Sequence, residues 1–420
     1  MPGKSKPPMN YERYILPQDL PEVRPRQRRD GSGPDNPDEA FFIRTHQAFE
    51  IWFAQILEEL EYARALLSKP APAYVPESDM PDIEQHVRRA TAVFDLVRQH
   101  LPVLETLHTT SFYDFRQHLF GASGTQSHRF REIEWLLGLL DDGLLEYVKQ
   151  KRDLERALAE PGAKAKQGET AHPSEREYDV LARYQARWRE QQPDGPGELG
   201  DEAFADMPAT HAALQARLRD MAENGSLRTQ VLNWLARATY PAPDGTRPQT
   251  EYGAQFAERF QEAFLAAHAA DSSVLSDLQG MTPRDIKRLD ENARQRAAFF
   301  LDAPHRRAVV FLLQFAEQPL LAWPASLVEA LLELDQAFAN WRDRHIAMVT
   351  RVLGGGRIST LGAAGSGLAY LRDTTSKRAF PEITDARTFM LSRAEADGIY
   401  SPEQLRPYGF AIESPPPDDG

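Results

Sequence analysis

The chain has 420 residues, no cysteine and a formal net charge of −13. That length allows two or three average domains or one large one, and the missing thiols exclude disulfides, thiolate zinc sites, iron–sulfur clusters and a thiolate-ligated haem. The acidity argues against general affinity for nucleic acid or anionic membrane, and a reducing, cytoplasmic setting is the expectation.

Residues 1–40 read as an N-terminal arm and linker. Their start, MPGKSKPPMN, lacks the apolar core of a signal peptide, and no run in the chain approaches the roughly 20 apolar residues that span a bilayer. Tyr11 and Tyr14 stand in this polar stretch and need something to pack on, in their own domain or in a neighbouring subunit. The basic run RPRQRR at 24–29 is better explained as solvated linker than as a binding site.

Periodicity then predicts helices. The first covers about 40–68, with Phe42, Phe49, Phe53, Ile56 and Leu60 on one face and His46 filling a gap in that stripe. A histidine there is more often a hydrogen-bonded core residue than a ligand. A second helix, 80–108, carries Val87, Ala90, Phe94, Val97, Leu101 and Leu104, with Pro102 expected to kink or restart it. A third starts near Ser111 and breaks at Gly121–Gly124; a fourth covers about 126–158. Residues 160–200 are polar and rich in Pro and Gly. Amphipathic segments between 203 and 317 read as helical elaboration on the same core, with a separate domain as the alternative.

A long helix follows at about 325–353, with Phe338, Trp341, His345, Val349 and Val352 on one stripe, and Gly354–Gly356 stops it. Beyond the small-residue loop 358–371 the end reads as irregular. No segment shows sustained period-2 alternation, so the fold class is all-α. The expected organisation is arm and linker 1–40, core helices 41–158, helical insertion or elaboration 159–320, the C-terminal part of the core 321–400 and a tail 401–420.

Three features could carry chemistry. His345, four residues after Trp341 on an apolar face, would suit a haem iron as a neutral imidazole in a dry pocket. Spacing alone favours a core histidine. Arg116, among aromatics in Tyr-Asp-Phe-Arg, offers a planar charged fork for a carboxylate, or an ordinary intramolecular ion pair. The glycine loops at 121–124 and 354–367 lack the strand-before, helix-after setting of a phosphate site. The remaining histidines, His86 and His100 among them, read as surface or structural.

Several segments, in order, resemble the tryptophan 2,3-dioxygenase family: Phe42-Ile-Arg-Thr-His46 through Leu60; Leu104-Glu-Thr106; Phe112-Tyr-Asp-Phe-Arg116 with Ala122-Ser-Gly124, Gln126-Ser127 and Phe130-Arg131; Trp341-Arg342-x-x-His345 with Met348-Val349; and Thr360, Ser366-Gly367 and Tyr370-Leu371-Arg372. They cover about half the chain. The resemblance implies an all-helical haem protein with an extra helical insertion, using haem b and O₂, cytoplasmic, and assembled as a homotetramer or homodimer.

His345 would then be the proximal iron ligand with Trp341 packed beside it. His46 would be catalytic, on the distal side near the substrate indole N–H. Phe42 and Phe112 would wall the indole and Arg116 would grip the carboxylate. Ser123 would lie at the haem edge, Thr360 would meet the amino-acid end of the substrate, and Tyr11 and Tyr14 would reach into a neighbour's pocket. The implied reaction inserts both atoms of O₂ across the indole C2–C3 bond of L-tryptophan, giving N-formylkynurenine. Where the family has Gly-Thr-Gly-Gly-Ser-Ser-Gly, this chain has Ser359-Thr-Leu-Gly-Ala-Ala-Gly-Ser-Gly367, longer by two. Counted back from Tyr370 without a gap, the threonine position holds Gly362. A modified tryptophan is therefore compatible as substrate, and two alternatives stand beside the dioxygenase: a haem monooxygenase of the same fold, and a non-catalytic haem-binding protein.

Overall fold

A computed structural model describes residues 36–68, 77–116, 127–139, most of 216–237, 303–354 and 377–399, with isolated positions at 259, 262, 263, 301, 375 and 405. Among the described residues there are helices and turns and no strand, as the periodicity predicts.

Helix α1 (Pro37–Leu67) starts where Asn36 caps it: the Asn36 side chain accepts from the Asp38 N–H at 2.9 Å, and Pro37 fills the first position, where no N–H is needed. Its buried positions Phe49, Phe53, Ile56, Leu60, Ala63 and Leu67 alternate steps of four and three, which keeps one stripe on the core. Helix α2 (Met80–Leu104) repeats the rhythm with Ile83, Val87, Ala90, Phe94, Val97, Leu101 and Leu104. Pro102 lies inside α2 and does not restart it; the helix ends two residues later, with the Glu105 N–H on the Leu101 carbonyl at 3.1 Å.

Helix α3 (Thr109–Arg116) is short. Helix α4 (His128–Leu136) is capped by Ser127, whose hydroxyl accepts from the Phe130 N–H at 3.2 Å. It ends at Leu136, where Gly138 turns the backbone to φ +81°, which a glycine adopts without steric cost; residues 140–158 of the expected helix lie outside the described residues. Helices α5 (Leu227–Arg237) and α6 (Pro304–Gln314) belong to the expected insertion, and their buried Val231, Leu235, Val309, Val310 and Phe311 join the main core. Arg64 on α1 holds this region by bonds to the Gly225 carbonyl (2.9 Å) and Asp220 (2.8 Å), and Arg217 bridges Glu132 (2.8 Å) and Glu61.

Helix α7 (Ala322–Leu353) is the longest and ends at Gly354, φ +76°. α2 packs between α1 and α7, where Phe94 meets Phe338 edge-on at 5.3 Å. Each fully buried Leu, Ile or Phe in these seams contributes roughly 1.5–3 kcal/mol. The end expected to be irregular contains α8 (Pro381–Ala386) and α9 (Arg393–Asp397). Phe380, Ile383 and Ala386 are buried in the main core, and Ser392 and Glu395 form a capping box that was readable as Ser-x-x-Glu.

Candidate functional site

The stripes of α1 and α7 each contain one polar interruption. On α1 it is His46, between Phe42 and Phe49; on α7 it is His345, between Trp341 and Met348. At these positions an imidazole is carried into the interior like any core side chain, and water is removed from around it. Burial first, and then the nearby His46, lower the His345 pKa to about 4. His46 is lowered as well, chiefly by burial, against a backbone hydrogen bond and Glu50. The two rings are therefore close enough to sense one another and both are neutral at pH 7.

The tautomer of His46 is set by its own helix. A carbonyl only accepts, so the 2.8 Å contact between His46 Nδ1 and the Phe42 carbonyl requires a proton on Nδ1. Nε2 is left with its lone pair, an acceptor. Around it stand aromatic rings: Phe42 at 4.1 Å between centroids and Phe49 at 5.8 Å edge-on. Phe42 in turn meets Phe112 at 5.8 Å and Phe115 at 5.6 Å. Leu107, Phe112 and Phe115 form a small apolar cluster of their own, against which Phe41, Phe42, Tyr113 and Leu353 pack.

On the other side, Trp341 lies parallel to His345, with centroids 5.2 Å apart and planes 7° from parallel. Phe130 (4.7 Å) and Phe53 (5.8 Å, edge-on) hold the indole from behind. The Trp341 Nε1–H is buried with no hydrogen-bond partner among the described residues, a situation that ordinarily costs about 1–3 kcal/mol. Next to it, Arg342 is buried over the Phe338 ring at 4.1 Å and donates to Glu134 at 2.9 Å, which ties α7 to α4.

The structure thus brings together His46, Phe42, Phe112, His345 and Trp341. Arg116 is the last residue of α3, and its side chain lies outside the described residues; Ser123, Thr360, Tyr11 and Tyr14 lie outside them entirely. Sequence reasoning passed over Phe53, one turn pair beyond His46 on the same face, as a link to the proximal tryptophan. It also set aside His100, whose ring reaches within 6.0 Å of Phe49.

An iron porphyrin fits these residues on chemical grounds. His345 is held in the neutral form that binds metal, and it lies beside the flat face of Trp341. The orphaned Trp341 N–H beside it is a donor awaiting an acceptor.

The family model described as tryptophan 2,3-dioxygenase matches residues 3–194 and 284–390. A tryptophan 2,3-dioxygenase of Sorangium cellulosum is 32% identical over 418 residues, covering 97% of this chain and 89% of the relative. Tryptophan 2,3-dioxygenase 2 of Ralstonia nicotianae is 32% identical over 410 residues, covering 97% and 99%. The enzyme of Mayetiola destructor is 27% identical over 390 residues, covering 92% and 87%.

Proposed function

The chain belongs to the tryptophan 2,3-dioxygenase family, and from that premise we propose that His345 would hold a haem b and that His46 would meet the indole amino acid bound beside it. The activity is tryptophan dioxygenation: both atoms of O₂ enter across the indole C2–C3 bond to give an N-formylkynurenine-type product. The observation that carries the site assignment is the juxtaposition of two neutral imidazoles, one from α1 and one from α7.

Bound haem supplies the ferrous iron at which O₂ is activated. The protein supplies placement. Phe42 and Phe112 give the indole a flat apolar wall and exclude water, which converts binding into a near-attack arrangement. His46 accepts the indole N–H at Nε2, because Nδ1–H is committed to the Phe42 carbonyl. An indole nitrogen is a poor acid, so this bond positions the ring and does not remove its proton. Trp341 fixes the plane of the His345 imidazole by parallel contact. Arg116 takes the substrate carboxylate, with Ser123 at the haem edge, Thr360 at the amino-acid end and Tyr11 and Tyr14 from a neighbouring subunit; these five assignments rest on the family motifs alone. Homotetrameric assembly and a cytoplasmic setting belong to the same proposal, as does the division of the chain at 40, 158, 320 and 400. No described helix is long and apolar enough to cross a membrane.

The test is reconstitution with haemin, reduction, and exposure to L-tryptophan and air. A Soret band together with formylkynurenine absorbance and a product heavier by two oxygen atoms is expected. A product heavier by one oxygen would replace dioxygenation with monooxygenation, and absence of a Soret shift would remove the haem assignment.

A further inference from the structure

Glu105 lies in the turn between α2 and α3, and its carboxylate is only 9% exposed. One oxygen takes a bond from Arg344 at 2.5 Å, and the other faces Arg351 at 3.9 Å. Arg344 adjoins His345 in the chain. The Arg344 guanidinium beside it holds the Glu105 carboxyl below the usual carboxylate range, so the pair is ionic at neutral pH.

The setting makes this pair unusual in consequence. α3, which carries Phe112 and Phe115, packs in a satellite cluster and not in the main core. Its links to α7 include the packing of Leu353, a long hydrogen bond from Tyr113 Oη to the Leu353 carbonyl (3.4 Å), and the Glu105–Arg344 pair at the start of the segment. Exposed ion pairs contribute little, but the Glu105 side chain is largely withdrawn from water and bonded directly to Arg344. It is the ionic link between this segment and α7, beside the apolar packing of Phe41, Phe42 and Leu353.

We propose that Glu105 is a positioning residue for the oxygenation: through Arg344 it latches the α3 wall, with Phe112, to the helix that carries His345. The latch fixes the width of the space in which the indole amino acid is aligned. This inference rests on the substrate reading given above.

The test uses the full chain loaded with haem, as Glu105→Gln, Arg344→Gln and the double variant. Each single variant is expected to raise KM for L-tryptophan about tenfold, with the double no worse than either, and with the Soret position as in the wild type. Amide exchange over residues 109–116 should speed up by about the same factor, while residues 83–101 of α2 are unchanged. Should Glu105→Gln fail to fold, Arg344→Gln carries the same expectation. Additive KM changes, an unaltered KM, or unaltered exchange in α3 would overturn the latch. A wild-type chain that takes up no haem would instead defeat the reading of the site, and the exchange comparison, which needs neither haem nor substrate, then decides the latch alone.

Discussion

The imidazole of His345 lies flat on the indole of Trp341, 5.2 Å between centroids and 7° from parallel. One helical turn separates them, so α7 itself sets the overlap, and Phe53 and Phe130 prevent the indole from turning away. A ligand held in this way has its plane fixed before any metal arrives.

If His345 is the iron ligand, removing its ring should leave a site that a free imidazole can refill. His345→Gly is expected to lose the Soret band of the reconstituted protein and to regain it in millimolar imidazole, because Trp341 still offers the parallel face. Absorbance titration checks this. Recovery without imidazole would assign the iron to another ligand.

His46 should read the substrate nitrogen through one hydrogen bond. A neutral bond of this kind is worth about 1 kcal/mol, roughly fivefold in binding. Wild-type protein is therefore expected to prefer L-tryptophan over its N1-methyl analogue by at least that factor, and His46→Ala to lose the preference while still binding haem. Equal discrimination by both proteins would exclude the contact. His46→Gln should keep part of it, since its amide oxygen is an acceptor too.

Helical periodicity put His46 and His345 on inward faces, and only the family resemblance made them more than core histidines. His46 and His345 betray themselves as polar members of apolar stripes, and the stripes of α1, α2 and α7 fix which faces meet. What was not legible depended on tertiary detail. The stop of α4 needs the left-handed backbone at Gly138, which a run of leucines on either side conceals. Phe53 and Phe130 look like any core aromatics until the packing of α1 and α4 places both against Trp341. Glu105 sits in a quoted motif, yet its partner is 239 residues away, and no local pattern signals such a pair.

Acid should destabilise the haem-free protein by a defined route. The folded-state pKa of His345 is depressed to about 4 from an ordinary 6.5, and His46 is lowered too. Between these values the unfolded chain binds more protons than the folded one. The stability carried by a neutral His345 is thus complete above pH 6.5 and is lost as pH falls toward 4, by roughly 3 kcal/mol at the limit. Urea midpoints across that window should fall in wild type and fall less steeply in His345→Phe. An identical slope in the two would mean that other groups set the acid limit.

Two glycines with positive φ should respond differently to the same substitution. A Cβ at Gly138 would come within 2.6 Å of Arg228 Cδ and 2.9 Å of its Cβ, whereas a Cβ at Gly354 would meet nothing within 4 Å among the described residues. Both pay the conformational cost of a positive φ, about 1–3 kcal/mol, Gly354 at ψ 158° in a region nearly confined to glycine. Only Gly138→Ala also displaces Arg228, whose guanidinium pairs with Glu382 at 2.5 Å and so joins α5 to α8. Thermal unfolding is expected to show the larger loss for Gly138→Ala, and equal losses would mean that the Arg228 side chain yields freely.

The buried group Arg131–Glu134–Arg342 should be costly to break at its carboxylate and cheap to remove whole. Arg342 is 5% exposed, Glu134 7% and Arg131 9%, so Glu134→Gln leaves two guanidinium groups inside without their shared carboxylate, at about 3 kcal/mol or more. Glu134→Leu with Arg131→Met and Arg342→Met removes all three charges, and Phe338 retains an apolar neighbour in place of the cation. The triple variant is therefore expected to unfold at a higher denaturant concentration than Glu134→Gln. A triple variant less stable than the single one would show instead that the ionic bonds themselves, and not the avoidance of lone charges, stabilise the contact between α4 and α7.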